Sequence, residues 1–198
     1  MRLNRSPLLL QVFGLVFCVA AALLGSVGDA RCQADPWVTL TEPGHAVFMR
    51  HADAPGGFGD PAGFRLDDCA TQRNLSEAGR AQARRTAAAL ARHDVVFDEV
   101  LTSPWCRCRE TAELVTGKPG EDWQALSNLV GRQEHRAPQV AALKAYLSKL
   151  NPSSRVLLVT HGIVIAALIG INPAQGEMVI VRPSEGGEST IAGRLLVD

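Results

Sequence analysis

Short apolar runs alternating with helix-like stretches leave this 198-residue chain few folds to choose from. The run Arg155-Val156-Leu157-Leu158-Val159-Thr160 is continuously apolar at its centre, as parallel strands buried on both faces are. Ala46-Val47-Phe48-Met49 is a second such run, and residues 95–101 form a third that ends at Thr102-Ser103-Pro104. Residues 178–181 and 191–197 complete the expected strands. Between them lie helical patterns. In residues 77–93 Ser76 can cap, Glu77 suits the first turn, and Ala83, Ala87 and Leu90 share a face. Pro104 opens a helix over 105–115, which Gly117 and Pro119 end. Residues 138–150 place Val140, Leu143, Leu147 and Leu150 at helical spacing, and Gly162 starts a helix to Ile169. Residues 52–73 read as a loop rich in Gly, Pro and Asp. Strands separated by helices predict an α/β domain, a three-layer α/β/α sandwich with a mostly parallel sheet. Ligands of such sheets bind at the carboxyl ends of the strands.

The first 34 residues read differently. Arg2 and Arg5 precede a nearly unbroken apolar stretch over residues 8–24, and two small-x-small sites follow, Gly28-Asp29-Ala30 and Cys32-Gln33-Ala34. This is the pattern of a secretory signal, with cleavage favoured after Ala34. An uncleaved membrane anchor is the alternative, and would be the only membrane contact. Cys32 lacks the residues that a lipid attachment site places before it. The division is then a signal over 1–34 and one folded domain over 35–198, in the periplasm or secreted. Without the first 34 residues the chain keeps 17 basic and 19 acidic side chains, a net charge near −2. That offers no broad basic surface for nucleic acid or anionic lipid, so any hold on an anion has to be local. In an oxidising compartment Cys69 pairs most simply with Cys106 or Cys108, leaving one thiol over. Cys-x-Cys is too closely spaced for a zinc site, and no metal or other cofactor is expected.

Three strand ends carry residues that suggest chemistry. The first ends in Arg50-His51-Ala52, the second leads through Ser103-Pro104 to Arg107, and the third ends in Thr160-His161-Gly162. A parallel sheet brings all three ends to one edge. Two imidazoles and two guanidinium groups in one crevice suit phosphoryl transfer. A neutral imidazole is a nucleophile toward phosphorus, and guanidinium forks hold the oxygens of a phosphate dianion. Ala52 and Gly162 leave room for the phosphate to approach.

RHA at 50–52, NLSEAGRAQA at 74–83, SPWCRCRETA at 103–112 and VTHG at 159–162 resemble the histidine phosphatase superfamily, of which phosphoglycerate mutases are the best-known branch. The resemblance spans about residues 46–182. It implies a phosphoglycerate mutase-like fold and a metal-independent histidine acid-type phosphatase. His51 would be the nucleophile, Arg50 and Arg107 phosphate-binding groups, and His161 the second histidine of the phosphate pocket. DDCATQRNLS and WCRC are similar to an exported subgroup, some of whose relatives are phosphatases of lipopolysaccharide core sugars.

Many family members carry an acid that protonates the leaving oxygen. Glu177, at the start of a late strand, and Glu134 are the candidates here. Asp53 could orient His51 or touch substrate, while Arg65 and Arg73 extend the phosphate contacts or lie on the surface. The loop over residues 54–69, with glycines at 56, 57, 59 and 63, is expected to roof the pocket, either through tight turns alone or as a lid that moves on binding. The expected function is an exported phosphomonoester hydrolase acting on a small phosphorylated substrate through a phosphohistidine on His51. The alternatives are a phosphohistidine or acyl-phosphate phosphatase, or a phospho-ligand-binding protein of the cell envelope without turnover.

Overall fold

A computed structural model describes residues 35–57, 59–184 and 188–198. The expected signal segment, residues 1–34, lies outside the described residues. Eleven helices and strands follow one another: α1 (Pro36–Thr41), β1 (His45–Arg50), α2 (Glu77–Arg92), β2 (Glu99–Thr102), α3 (Cys106–Thr116), β3 (Glu121–Asp122), α4 (Arg136–Leu147), β4 (Arg155–Thr160), α5 (Gly162–Ile169), β5 (Met178–Pro183) and β6 (Ser189–Leu195).

The six strands form one sheet in the order β3-β2-β4-β1-β5-β6. β1, β2, β3 and β4 run parallel, and β5 opposes both β1 and β6. The sheet is thus mostly parallel, with one reversed strand. Side chains alternate across it, as the pleat requires. Val47 and Met49 of β1, with Leu157 and Val159 of β4, meet Leu40, Ala83, Leu90, Ala112 and Val115 on the face covered by α1, α2 and α3. Ala46 and Phe48, with Val156 and Leu158, meet Leu143, Leu147, Val164 and Ile165 on the face covered by α4 and α5. Both faces are dry, which is why β1 and β4 read as unbroken apolar runs rather than alternating ones. This is the expected three-layer α/β/α architecture. Among the described residues no helix is long and apolar enough to cross a membrane.

Several boundaries differ from those expected. The second strand begins at Glu99, not at residue 95, because β4 begins at Arg155 and the register sets Glu99 opposite Val156. Asp98 meets only the first residue of β4, Arg155, and Val95 and Phe97 before it enter the core from a loop. α1 was not anticipated, although Asp35 caps it by accepting from the Trp37 N–H and Pro36 opens it. The two-residue β3 has no apolar signature.

Candidate active site

The register aligns the ends of the parallel strands. Arg50 pairs with Thr160 and Thr102 with Val159, the His51 N–H donates to the Thr160 carbonyl, and that of Ser103 donates to the Val159 carbonyl. Arg50, His51, Ser103 and His161 therefore leave the sheet together. β4 lies between β1 and β2 although it follows both in sequence, so the crevice opens where the strand order reverses, as expected for an α/β ligand site. α3 is tied to this edge by the Thr111 hydroxyl, which accepts the Ala52 N–H at 3.1 Å and donates to the Arg107 carbonyl at 2.7 Å.

A cleft of about 600 Å³ lies here, and Arg50, His51, Asp53, Arg73, Asn128 and His161 are among its walls. His51 is 2% exposed. Its Nδ1 lies 2.9 Å from the Ala52 carbonyl. A carbonyl only accepts, so Nδ1 carries the ring proton and the Nε2 lone pair is free. Burial lowers the His51 pKa to about 3; the Ala52 carbonyl opposes this, and Arg107, Arg50 and Arg73 add to it. The ring is neutral at ordinary pH.

His161 caps α5 and stands edge-on to His51 with ring centroids 5.4 Å apart. An Arg107 Nη donates to its Nδ1 at 3.4 Å, and its Nε2 donates to the Ser103 hydroxyl at 2.9 Å. Burial, then His51 and the arginines, hold its pKa well below the usual imidazole value.

Arg50 is braced by the segment before β5. It donates to the Pro173 carbonyl at 2.8 Å, and the Gly176 N–H donates to the carbonyls of Arg50 and His51. From α2, Gln82 accepts the Asp53 N–H and donates to the Gln175 carbonyl, which bridges both loops. Gly79 permits this close seating, since a Cβ there would lie 2.1 Å from the Asp53 carbonyl oxygen. Arg73 donates to the Ala54 carbonyl at 2.8 Å. Of the two readings offered for that residue, the structure has the cleft wall. Arg65 instead pairs with Asp67 and Asp68 away from the cleft.

Arg107 is fully buried, and both its terminal nitrogens are taken by Asp60, at 2.6 and 3.2 Å. It stands beside His161 but is not among the walls of the cleft. Asp60 also accepts from the Trp105 indole at 2.9 Å and from the Arg73 N–H at 3.1 Å. Burial alone would raise the Asp60 pKa, but the hydrogen bonds and charge of Arg107 hold it below the usual carboxylate range. Sequence reasoning missed Asp60, one polar residue in a loop full of them; only its contacts single it out. The Nε atoms of Arg50, Arg73 and Arg107 are all buried without a partner. Under-satisfied cations around one cleft favour an anionic, acceptor-rich ligand.

The expected carboxylates are engaged elsewhere. Asp53 does not orient His51; its side chain accepts from the Ser76 hydroxyl at 2.5 Å, and the Ala52 carbonyl holds the ring instead. Glu177 sits at the crevice end of β5, but Arg194 at 2.6 Å and the Ala174 N–H at 2.7 Å occupy its oxygens. Burial notwithstanding, those contacts lower its pKa. Glu134 is exposed beside His135. Among the described residues no cluster of three or more His, Cys, Asp or Glu side chains could hold a metal ion. Cys108 is not a nucleophile in waiting, because burial pushes its thiol up to about 12.

Residues 47–135 match the family model of the histidine phosphatase superfamily, branch 1. Over that segment, which holds Arg50, His51 and Arg107, the chain is similar to this superfamily. Among curated proteins nothing matches its sequence. Among solved structures, the chain is similar to the protein histidine phosphatase SixA complexed with tungstate, at 22% identity and a TM-score of 0.58, over 77% of this chain and 96% of that one. It is also similar to the alpha-ribazole phosphatase from Shigella flexneri, at 20% identity and a TM-score of 0.55, over 78% and 96%. A mycobacterial glucosyl-3-phosphoglycerate phosphatase complexed with VO3 aligns at 18% identity and a TM-score of 0.52, over 74% and 96%. These likenesses show the fold, a phosphoglycerate mutase-like sandwich.

Proposed function

We propose that this protein is a metal-independent phosphomonoester hydrolase of the histidine phosphatase superfamily that forms a phosphohistidine on His51. One observation carries the reading: a buried, neutral imidazole with Nδ1 committed to the Ala52 carbonyl and a free Nε2, in a cleft walled by two guanidinium groups. The Nε2 lone pair forms a bond to phosphorus while the bond to the leaving oxygen breaks, and that oxygen takes up a proton as it departs. Water then attacks the phosphohistidine, releasing phosphate and the neutral ring. Negative charge stays on the non-bridging oxygens throughout. Arg50, Arg73 and the amino end of α5 face it, and their charge is in place before reaction. This supply of cations leaves no step that calls for a metal.

A second observation bears on the leaving group. Glu177 is bound to Arg194 and Asp53 to Ser76, so neither is poised to donate a proton. That observation favours a second reading, a phosphatase of phosphohistidine or of an acyl phosphate, whose leaving groups need less protonation than that of a sugar phosphate. The protein then works outside the cytoplasm, in the periplasm or secreted. A Cys69–Cys106 disulfide and the apolar leader support this. His51→Ala is expected to lower turnover of an aryl phosphate by about 1,000-fold or more, with chelator without effect on the parent. A variant as active as the parent would remove His51 from the reaction. Parallel assays on phosphohistidine peptide, acyl phosphate and sugar phosphates rank the leaving groups.

A further inference from the structure

We propose that Asp60 competes with phosphate for Arg107: its carboxylate holds the guanidinium until the substrate's phosphoryl group takes its place, and so sets how tightly the pocket keeps phosphate. The inference rests on the phosphatase reading above. Arg107 follows Ser103-Pro104 at the strand end, within 3.4 Å of His161, yet is fully buried and absent from the cleft walls that Arg50, His51, Arg73 and His161 form. What holds it is Asp60. The carboxylate grips both terminal nitrogens in the two-pronged geometry that a planar guanidinium offers equally to carboxylate and phosphate.

Three elements of the site converge on that one side chain, which is 1% exposed: Arg107 from α3, the indole of Trp105 just before α3, and the backbone of Arg73 in the cleft wall. Gly59 beside it has φ +87 and lines the cleft, so Asp60 adjoins the space that a phosphate would enter. A phosphate dianion carries more charge than a carboxylate and can draw on Arg50 and Arg73 as well, so the fork passes to it. On departure of product the carboxylate returns. An internal competitor weakens the hold on inorganic phosphate, which would otherwise inhibit turnover.

The test uses the full chain, with inorganic phosphate as probe and an aryl phosphate as substrate. Asp60→Asn keeps the size and one acceptor oxygen but removes the charge. It is expected to tighten inhibition by phosphate about tenfold, the scale of one charge-assisted hydrogen bond. A carboxylate that only scaffolds Arg107 predicts the opposite, because loss of the ion pair frees the guanidinium to drift. Unchanged or weaker phosphate inhibition in a folded variant overturns the proposal. Should the variant not fold, the parent decides the matter: the indole N–H of Trp105 reports on Asp60, and its NMR resonance is expected to move on saturation with phosphate. A resonance that stays in place refutes the exchange. A parent that neither hydrolyses the ester nor binds phosphate overturns the phosphatase reading along with it, whereas a parent that does both beside an untightened variant overturns the exchange alone.

Discussion

A buried imidazole with no carboxylate beside it gives up its charge, and that one fact shapes the chemistry of His51 and the acid stability of the whole protein. Its ring is buried and stands among three arginines, which together outweigh the Ala52 carbonyl, so the folded state binds a proton there only near pH 3, while an unfolded chain binds it near 6.5. Between those values the unfolded state holds the extra proton. Stability is therefore full above pH 6.5 and falls as the pH drops toward 3. His161 acts in the same direction. His51→Asn is expected to flatten the dependence of Tm on pH between roughly pH 5 and 7, a range in which the carboxylates stay ionised in both states. A melting series with equal slopes for the two proteins would contradict the assignment. At this scale Arg50, His51 and His161 were legible, because an Arg-His or His-Gly step after an apolar run marks the working end of a strand. Asp60, and the choice of cleft wall for Arg73, were not: both follow from the path of a loop whose Gly, Pro and Asp residues encode turns without encoding where they lead.

Among the elements, the Cys69–Cys106 bridge matters most to the site. It joins the 3-10 turn at Cys69–Thr71, just before Arg73, to the first residue of α3, one position before Arg107. The Gln72 side chain reinforces the same seam by accepting the Cys106 N–H at 3.0 Å. The closed loop spans 37 residues, and cross-linking a loop of that length contributes about 2–4 kcal/mol. Cys69→Ser with Cys106→Ser is expected to lower Tm by roughly 5–15 °C and to raise KM, since Arg73 and Arg107 lose their shared anchor. Thermal melts and steady-state kinetics with and without reductant check both. The spacing of the cysteines left Cys106 and Cys108 equally open as partners for Cys69. The helix decided between them: Cys108 faces inward, fully buried beneath His161, while Cys106 meets the turn at Cys69.

For the molecule as a whole, the sheet between two helical layers holds the strand ends in register, so the core and the site are one structure. Leu158, in the middle of β4, is fully buried among Phe48, Leu101 and Leu143. Leu158→Ala is expected to cost about 2–5 kcal/mol, measured by chemical denaturation, with the kinetics of the surviving folded fraction little changed. A cost within error of zero would mean that this layer repacks freely. The residue order alone was enough for the α/β class, the mostly parallel sheet and the edge on which the chemistry gathers, because burial on both faces writes itself into continuous apolar strands and those are read locally. The start of β2, the pairing of Cys69, and the partners of Asp53, Asp60 and Glu177 were settled only in three dimensions. Each depends on which distant segment arrives alongside, and a one-dimensional pattern carries the period of its own element but not the identity of its neighbour.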